Sequence, residues 1–388
     1  MLSKIFGVLL GILGVTTTTV APLTSPATEV ARAEPPIVKI VEKTSTAAAT
    51  STAKTPSKKS AAKSEAKPVV KVIPPVAKVP KVSDTLRLAA TSSPTIPPEP
   101  LPDFTTVNQK TRDALVNIIC TSQTAGSFEP LSGSGVIIDR RGIILTNAHV
   151  AQYLLLKDYR IKNFLTCIAR TGSPATPRYT LKPSYISKQW LADNYKNITS
   201  QKPMGTGEND FALLQITGRT DPDLKLPDTF PSLPLDNNED NIKTNNQILL
   251  ASYPAGFLGG IAIQRDLYAA STLINIGQRY TFKDGSLDAF SLGGSPVAQH
   301  GSSGGAAVSG SGKLLGIIVT STDAADTSKR DLDAISIAHI NRSLLAETHL
   351  TLDSLLASDM TSFEKTFDEE TLPSMKKILI DELNSKSR

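Results

Sequence analysis

Two adjacent serines, Ser302 and Ser303, lie in the stretch "PVAQHGSSGGAAV" at 296–308. A serine hydroxyl becomes a nucleophile only with a base in hydrogen-bond reach, and the base needs a third group to orient it. The chain offers four histidines, His149, His300, His339 and His349. His300 is the sequence neighbour, but "GIILTNAHV" at 142–150 runs an apolar β-rich segment straight into His149, where a ring can be held rigidly. "GENDFALLQI" at 207–216 places Asp210 just before a second apolar strand, where a half-buried carboxylate can accept an imidazole N–H. Glycines around the serines let the backbone bend and gather N–H groups into one hollow, as an oxyanion requires. Each piece alone has a plain structural reading: a satisfied core histidine, a turn aspartate, a Gly-Ser loop. Taken as a set they are the residue types that acyl transfer needs.

The elements that must position these groups are short strands. From residue 104 onward, ten β-rich runs alternate with Gly, Asn, Asp and Ser turns: "ALVNIICTS", "GSGVIID", "GIILTNAHV", "NFLTCIAR", "DFALLQI", "NQILLASY", "STLINIG", "GAAVSG", "KLLGIIVTS" and "DAISIAHI". This texture predicts an all-β sandwich or barrel. "DRRG" between "GVII" and "IILT" reads as a hairpin turn. Helical spacing comes late. "NRSLLAETHL" begins with Asn341 as an N-cap, and Leu372, Met375, Leu379 and Leu383 fall near one helical face.

Four segments, "SGSGVIIDRRGIILTNAHV", "NDFALLQI", "NQILLASYPAG" and "GSSGGAAVSGSGKLLGI", occur in this order over about residues 108–345. Together they resemble the trypsin-like serine endopeptidases, and most closely the bacterial HtrA/Deg-like branch. The resemblance implies two six-stranded antiparallel β-barrels with the active site in the cleft between them. It implies His149 as general base, Asp210 as orienting acid, Ser303 as nucleophile, and the N–H groups of Gly301 and Ser303 as oxyanion hole. It places Val297, Ile318, Val319 and Thr320 around the primary specificity pocket, with no acid and no histidine there. This implies aliphatic preference rather than cleavage after Lys, Arg or Glu. No metal or cofactor is implied, and the partners are protein or peptide substrates.

The chain departs from the family pattern in places. Ser302 stands where the HtrA-like branch has Asn and the digestive enzymes have the Asp that pairs with a new N-terminus, so trypsin-type activation is not expected. His300 replaces a usual Pro. The 39 residues that separate "NFLTCIAR" from Asp210, including the only Trp, Trp190, read as a surface loop. The 38 residues after Leu350 are too few for a peptide-sensing PDZ domain and read as a short helical extension. The alternative function is a catalytically inactive trypsin-like scaffold that binds peptides.

Charge and proline mark the organisation. Twelve of the 26 prolines lie between Pro35 and Pro102, and residues 34–103 carry eleven basic against six acidic residues. The whole chain is +5, so the part from 104 onward is close to neutral. A nucleic-acid function would need that charge on the folded domain, which argues against one. Lys4 followed by the apolar run Ile5–Val15 has the form of a secretory signal. Cleavage and retention as a membrane anchor both remain open. The expected division is 1–33 signal or anchor, 34–103 disordered Lys/Pro/Ala-rich linker, 104–350 protease domain and 351–388 helical extension. The setting is the periplasm, cell envelope or exterior. Cys120 and Cys167 belong to no C-x-x-C pair and could be a disulfide or two buried thiols.

Overall fold

The computed structural model describes residues 102–386 apart from 124–129, 201–204, 257–259, 284, 296, 298 and 322–331. The signal or anchor segment and nearly all of the Lys/Pro-rich segment lie outside the described residues. Six strands, β1 (Leu115–Ser122), β2 (Leu131–Asp139), β3 (Ile143–Thr146), β4 (Leu165–Thr171), β5 (Thr176–Ile186) and β6 (Ala212–Arg219), close into an antiparallel barrel. Its order is β1-β2-β3-β6-β5-β4. Seven more, β7 (Gln247–Ser252), β8 (Ala270–Asn275), β9 (Arg279–Tyr280), β10 (Ala289–Gly293), β11 (Ala306–Val308), β12 (Leu314–Ser321) and β13 (Leu332–Ser336), form one antiparallel sheet. Its order is β8-β7-β11-β12-β13-β10-β9.

The all-β, two-part architecture read from the sequence is present. The second part differs in detail from a six-stranded barrel: it is a curled half-barrel with β8 and β9 at its edges. Three strands were not visible as apolar runs. β5 carries Pro177 and Pro183 and mostly half-buried residues, so its pattern is broken. β9 has two residues, and β10 lies in a mixed polar stretch.

Helices are α1 (Phe104–Ala114), α2 (Ala148–Ala151), α3 (Lys188–Asn194), α4 (Gly260–Arg265), α5 (Ile337–Thr348), α6 (Leu352–Ala357), α7 (Thr361–Thr366) and α8 (Leu372–Lys386). The stretch between β4 and Asp210 is not a surface loop: it contains β5 and α3, and Trp190 is buried. Asn341 does not cap α5. Ser336 does, accepting from the His339 N–H, while Asn341 Oδ1 accepts from Leu352 N–H at the start of the next helix. α8 buries Met375, Leu379 and Leu383, the stripe read from the sequence.

The tail is woven into the domain rather than appended to it. Phe363 and Phe367 stack near Tyr185 of β5, and Tyr185 in turn contacts Phe211, next to Asp210. Glu347 of α5 accepts from Tyr185 Oη, Ser187 Oγ and Lys188 N–H. Burial, and then the Glu347 carboxylate, push the Tyr185 phenol well above its ordinary pKa, so it stays a donor. One apolar core runs from the first barrel through β11 and β12 to Leu352, Phe367 and Leu379, and a second fills the half-barrel around Phe290, Leu250 and Ile318. Among the described residues, no helix is long and apolar enough to cross a membrane.

Cys120 and Cys167 face each other across β1 and β4 and are joined as a disulfide, with Cα atoms 4.0 Å apart.

Candidate active site

β3 ends at Thr146, and its last residues deliver Asn147 and then α2, which carries His149. Asp210 lies at the start of β6, the partner of β3. The turn before it is tight: Gly207 and Asn209 both have positive φ, and Asp210 N–H donates to Gly207 O at 3.1 Å. Buried Phe211 then pins the strand into the core. The result is a two-point grip on one carboxylate. His149 Nδ1 lies 2.6 Å from Asp210 Oδ2, and His149 backbone N–H donates to Oδ1 at 2.9 Å. Asn147 Nδ2 donates to the Asp210 carbonyl at 2.8 Å, and Gln152 to the His149 carbonyl at 3.0 Å. Asp210 is buried, while the His149 side chain keeps a third of its surface exposed. With Nδ1 committed to the carboxylate, Nε2 is the ring atom left to take a proton. Burial opposes charge on the ring, but the Asp210 carboxylate outweighs it, and the His149 pKa is raised above 6.5.

The serine turn comes from the other half, between β10 and β11, and is stitched to the first barrel through Ser134 of β2. Ser134 N–H donates to Ser303 O at 2.7 Å, and Ser134 Oγ donates to Gly301 O at 2.7 Å. Thr146 Oγ1 donates to Ser134 O, so the same residue joins the turn to the end of β3, three residues before His149. Gly304 makes this approach feasible. Its φ is +82°, and a Cβ there would stand 2.1 Å from Ser134 O and 2.5 Å from Thr146 Oγ1. The two serines differ sharply. Ser302 is buried and its Oγ bonds to Val297 O and to Ser252 Oγ of β7. Ser303 is half-exposed, and its hydroxyl has no hydrogen bond among the described residues. No hydrogen bond joins it to His149 Nε2 in this structure; the two halves meet through the Ser303 carbonyl.

The peptide planes of the turn are oriented by their carbonyls. In a trans peptide, C=O and N–H point opposite ways. His300 O accepts from Ala255 N–H at 2.6 Å, so Gly301 N–H is turned away from Ala255. Ser302 O accepts from Gly305 N–H at 2.8 Å, so Ser303 N–H is turned away from Gly305. The N–H groups of Ser302, Gly304 and Gly305 are all used, by Gln299 O, Ile318 O and Ser302 O. Those of Gly301 and Ser303 have no partner among the described residues. Unpaired N–H groups are uncommon inside a fold.

Residues 133–317 match the family model of the trypsin-like peptidase domain. The closed barrel and the curled half-barrel sheet are a trypsin-like fold. Solved structures similar to it include two bacterial proteases. The serine endoprotease from Yersinia pestis is 19% identical, with 65% of this chain and 69% of that chain covered and a TM-score of 0.40. The Rv3671c protease from M. tuberculosis in its active form is 16% identical, with 61% and 82% covered and a TM-score of 0.37. No curated protein gives a match.

The remaining residues singled out in the sequence fall as follows. Val297 and Ile318 are buried together in the half-barrel core, and Val319 faces the other core, 3.0 Å from where a Gly207 Cβ would sit. Thr320 lies in β12. His300 is exposed beside the turn, and His349 is exposed at the end of α5.

His339 forms a second Asp–His pair that the sequence did not suggest. Its Nδ1 lies 2.9 Å from Asp288 Oδ1, and Arg342 bonds the same oxygen at 2.7 Å. Burial works against ionisation of Asp288, yet bonds from Arg342, Phe282 N–H and His339 hold its pKa well below the carboxylate range. Burial depresses the His339 pKa against the pull of Asp288. Only 6% exposed, His339 is a packed structural group, whereas His149 is partly open.

Proposed function

We propose that this protein is a serine endopeptidase with His149 as general base, Asp210 as the acid that orients it, and Ser303 as nucleophile. The observation that carries the reading is the pair of N–H groups at Gly301 and Ser303 that have no partner among the described residues, each turned away from the group bonded to the preceding carbonyl. In this reading they converge on the oxyanion. Ser303 attacks a substrate peptide carbonyl while His149 Nε2 takes its proton; the carbonyl oxygen becomes an oxyanion held by the two N–H groups. His149 returns the proton to the leaving amine, and water repeats the sequence on the acyl-enzyme. Asp210, gripping both the ring and the backbone of His149, keeps the proton on Nδ1 and stabilises the imidazolium.

The absence of any acid or histidine at Val297, Ile318, Val319 and Thr320 supports a preference for small to medium aliphatic side chains at the primary pocket. A single methylene there is worth only ~1–3 kcal/mol, so selectivity is modest. The signal-like start and the Lys/Pro-rich segment support export to the cell envelope, with membrane association through the N-terminal segment, and a role in envelope protein quality control. The quoted motifs support placement in the HtrA/Deg-like branch. The protease unit is proposed to begin at 104; packing of α8 on the first barrel supports treating the helices after 350 as part of the folded unit.

A fluorophosphonate probe tests the assignment on the full chain. Wild type and Ser302→Ala are expected to label, and Ser303→Ala not. Labelling that survives Ser303→Ala but disappears in Ser302→Ala overturns the nucleophile. A folded wild type that does not label favours the inactive, peptide-binding reading. Library profiling dominated by cleavage after Lys or Arg overturns the pocket assignment.

A further inference from the structure

Arg170, on β4 of the first barrel, is a buried cation that the proposed chemistry does not use. It is 1% exposed, and each of its three hydrogen bonds ends on a neutral oxygen. Nε donates to Asn117 Oδ1 at 2.8 Å, Nη1 to Gln264 O and Nη2 to Ile263 O, each at 2.9 Å. Asn117, also buried, donates onward to Ser132 Oγ and Gly133 O of β2. A buried guanidinium without a carboxylate is costly to keep. Burial accordingly lowers its pKa.

Its far end is α4, in the β7–β8 connection, where it meets the last carbonyls of the helix, the favoured place for a cation. Described parts of that connection are tied to the first barrel at several points. Tyr253 Oη donates to Gly172 O, Ala175 N–H to Leu267 O, and Arg112 to Ala269 O. The same connection supports the serine turn. Ala255 N–H holds the His300 carbonyl, a Cβ on Gly301 would stand 2.7 Å from Tyr253 O, and one on Gly256 would stand 2.8 Å from Gln299 Cβ. The β7–β8 connection thus lies between the β4 edge of the first barrel and the peptide whose N–H is Gly301.

We infer that Arg170 is a positioning residue for the oxyanion turn. Together with Tyr253 it fixes the β7–β8 connection against the first barrel, and the connection in turn fixes the 300–301 peptide with its N–H outward. The inference rests on the protease reading above, but one of its readouts does not.

The test compares full-length wild type, Arg170→Leu, Arg170→Lys and Tyr253→Phe, the last removing only the hydroxyl bonded to Gly172. Hydrogen–deuterium exchange is read over 253–256 and 299–305, with β1–β3 as internal reference. Fluorophosphonate labelling rate and the kcat and KM for a peptide substrate are read beside it. Arg170→Leu is expected to exchange at least tenfold faster at 299–305 with β1–β3 unchanged. It should label at least tenfold more slowly, with the loss in kcat and KM within about twofold. Tyr253→Phe should shift the same readouts in the same direction by about threefold, and Arg170→Lys should recover part of the loss. Unchanged exchange at 299–305 in folded Arg170→Leu overturns the inference. If Arg170→Leu does not fold, unchanged exchange there in Tyr253→Phe does so. A wild type that fails to label defeats the protease reading, while exchange still decides the coupling.

Discussion

Gly304→Ala isolates the contact on which the candidate site depends. Gly304 has φ +82°, and an added Cβ would lie 2.1 Å from Ser134 O and 2.5 Å from Thr146 Oγ1. Carbon–oxygen contacts ordinarily settle at about 3.3 Å or more. The nearest atom, Ser134 O, is backbone of the first barrel, so the turn must move by about 1 Å whatever the Thr146 side chain does. Three costs add. Left-handed φ costs an alanine about 1–2 kcal/mol. Overpacking a rigid contact costs about 1–3 kcal/mol. Separating Ser134 N–H from Ser303 O removes a hydrogen bond of about 1 kcal/mol. The expected loss is about 3–6 kcal/mol of stability, together with misplacement of Ser303. A displacement of ~1 Å at reacting atoms can cost about 100-fold in rate. Gly293→Ala is the control. Its φ is +63° and nothing lies within 4 Å of its Cβ position, so it carries only the backbone cost of about 1–2 kcal/mol. Urea unfolding of both variants, with fluorophosphonate labelling rates beside it, separates the two contributions. The reasoning fails if the two variants lose equal stability and Gly304→Ala labels at the wild-type rate.

Two other perturbations follow from the same geometry. The His149 pKa is raised because Asp210 outweighs burial, and only the neutral ring can accept the Ser303 proton. kcat/KM is therefore expected to fall as pH drops through a value above 6.5. Asp210→Asn should move that midpoint down and lower kcat by about 10⁴. The stability contributed by the charged pair runs the other way. It is full below the unfolded histidine pKa and fades as pH rises through the folded value, so Asp210→Asn should cost more stability at pH 5.5 than at pH 9. A pH–rate midpoint at or below 6.5 contradicts the first expectation, and an equal loss at both pH values the second. Reducing Cys120–Cys167 opens a loop of sequence separation 47. Loop-closure entropy puts the loss at about 4 kcal/mol, read as a lower urea midpoint for the reduced protein. A midpoint unchanged by complete reduction contradicts it.

Local sequence carried much of this protein. Apolar runs between turn residues specify β-strands because side chains alternate every second residue, and the β2–β3 hairpin and the α8 stripe follow from local pattern alone. The order of the His149, Asp210 and Ser303 segments was legible from the quoted motifs, His149 following one apolar run, Asp210 preceding another and Ser303 lying in a Gly-rich turn. Three-dimensional placement decided the rest. β5 was hidden because its prolines and half-buried faces break the alternation, yet its pairing with β4 and β6 is what closes the barrel. The resemblance already pointed to Ser303 rather than Ser302; what only the structure adds is that the Ser302 hydroxyl is buried against Val297 O. Cys120 and Cys167 are 47 positions apart, and only the β1–β4 register brings them face to face. Ser134 and Arg170 look ordinary in sequence; their meaning lies in carbonyls more than 90 positions away. Short-range pattern fixes what a residue's own strand does. Which distant peptide N–H is left free, and what holds it so, depends on how two separately formed sheets meet.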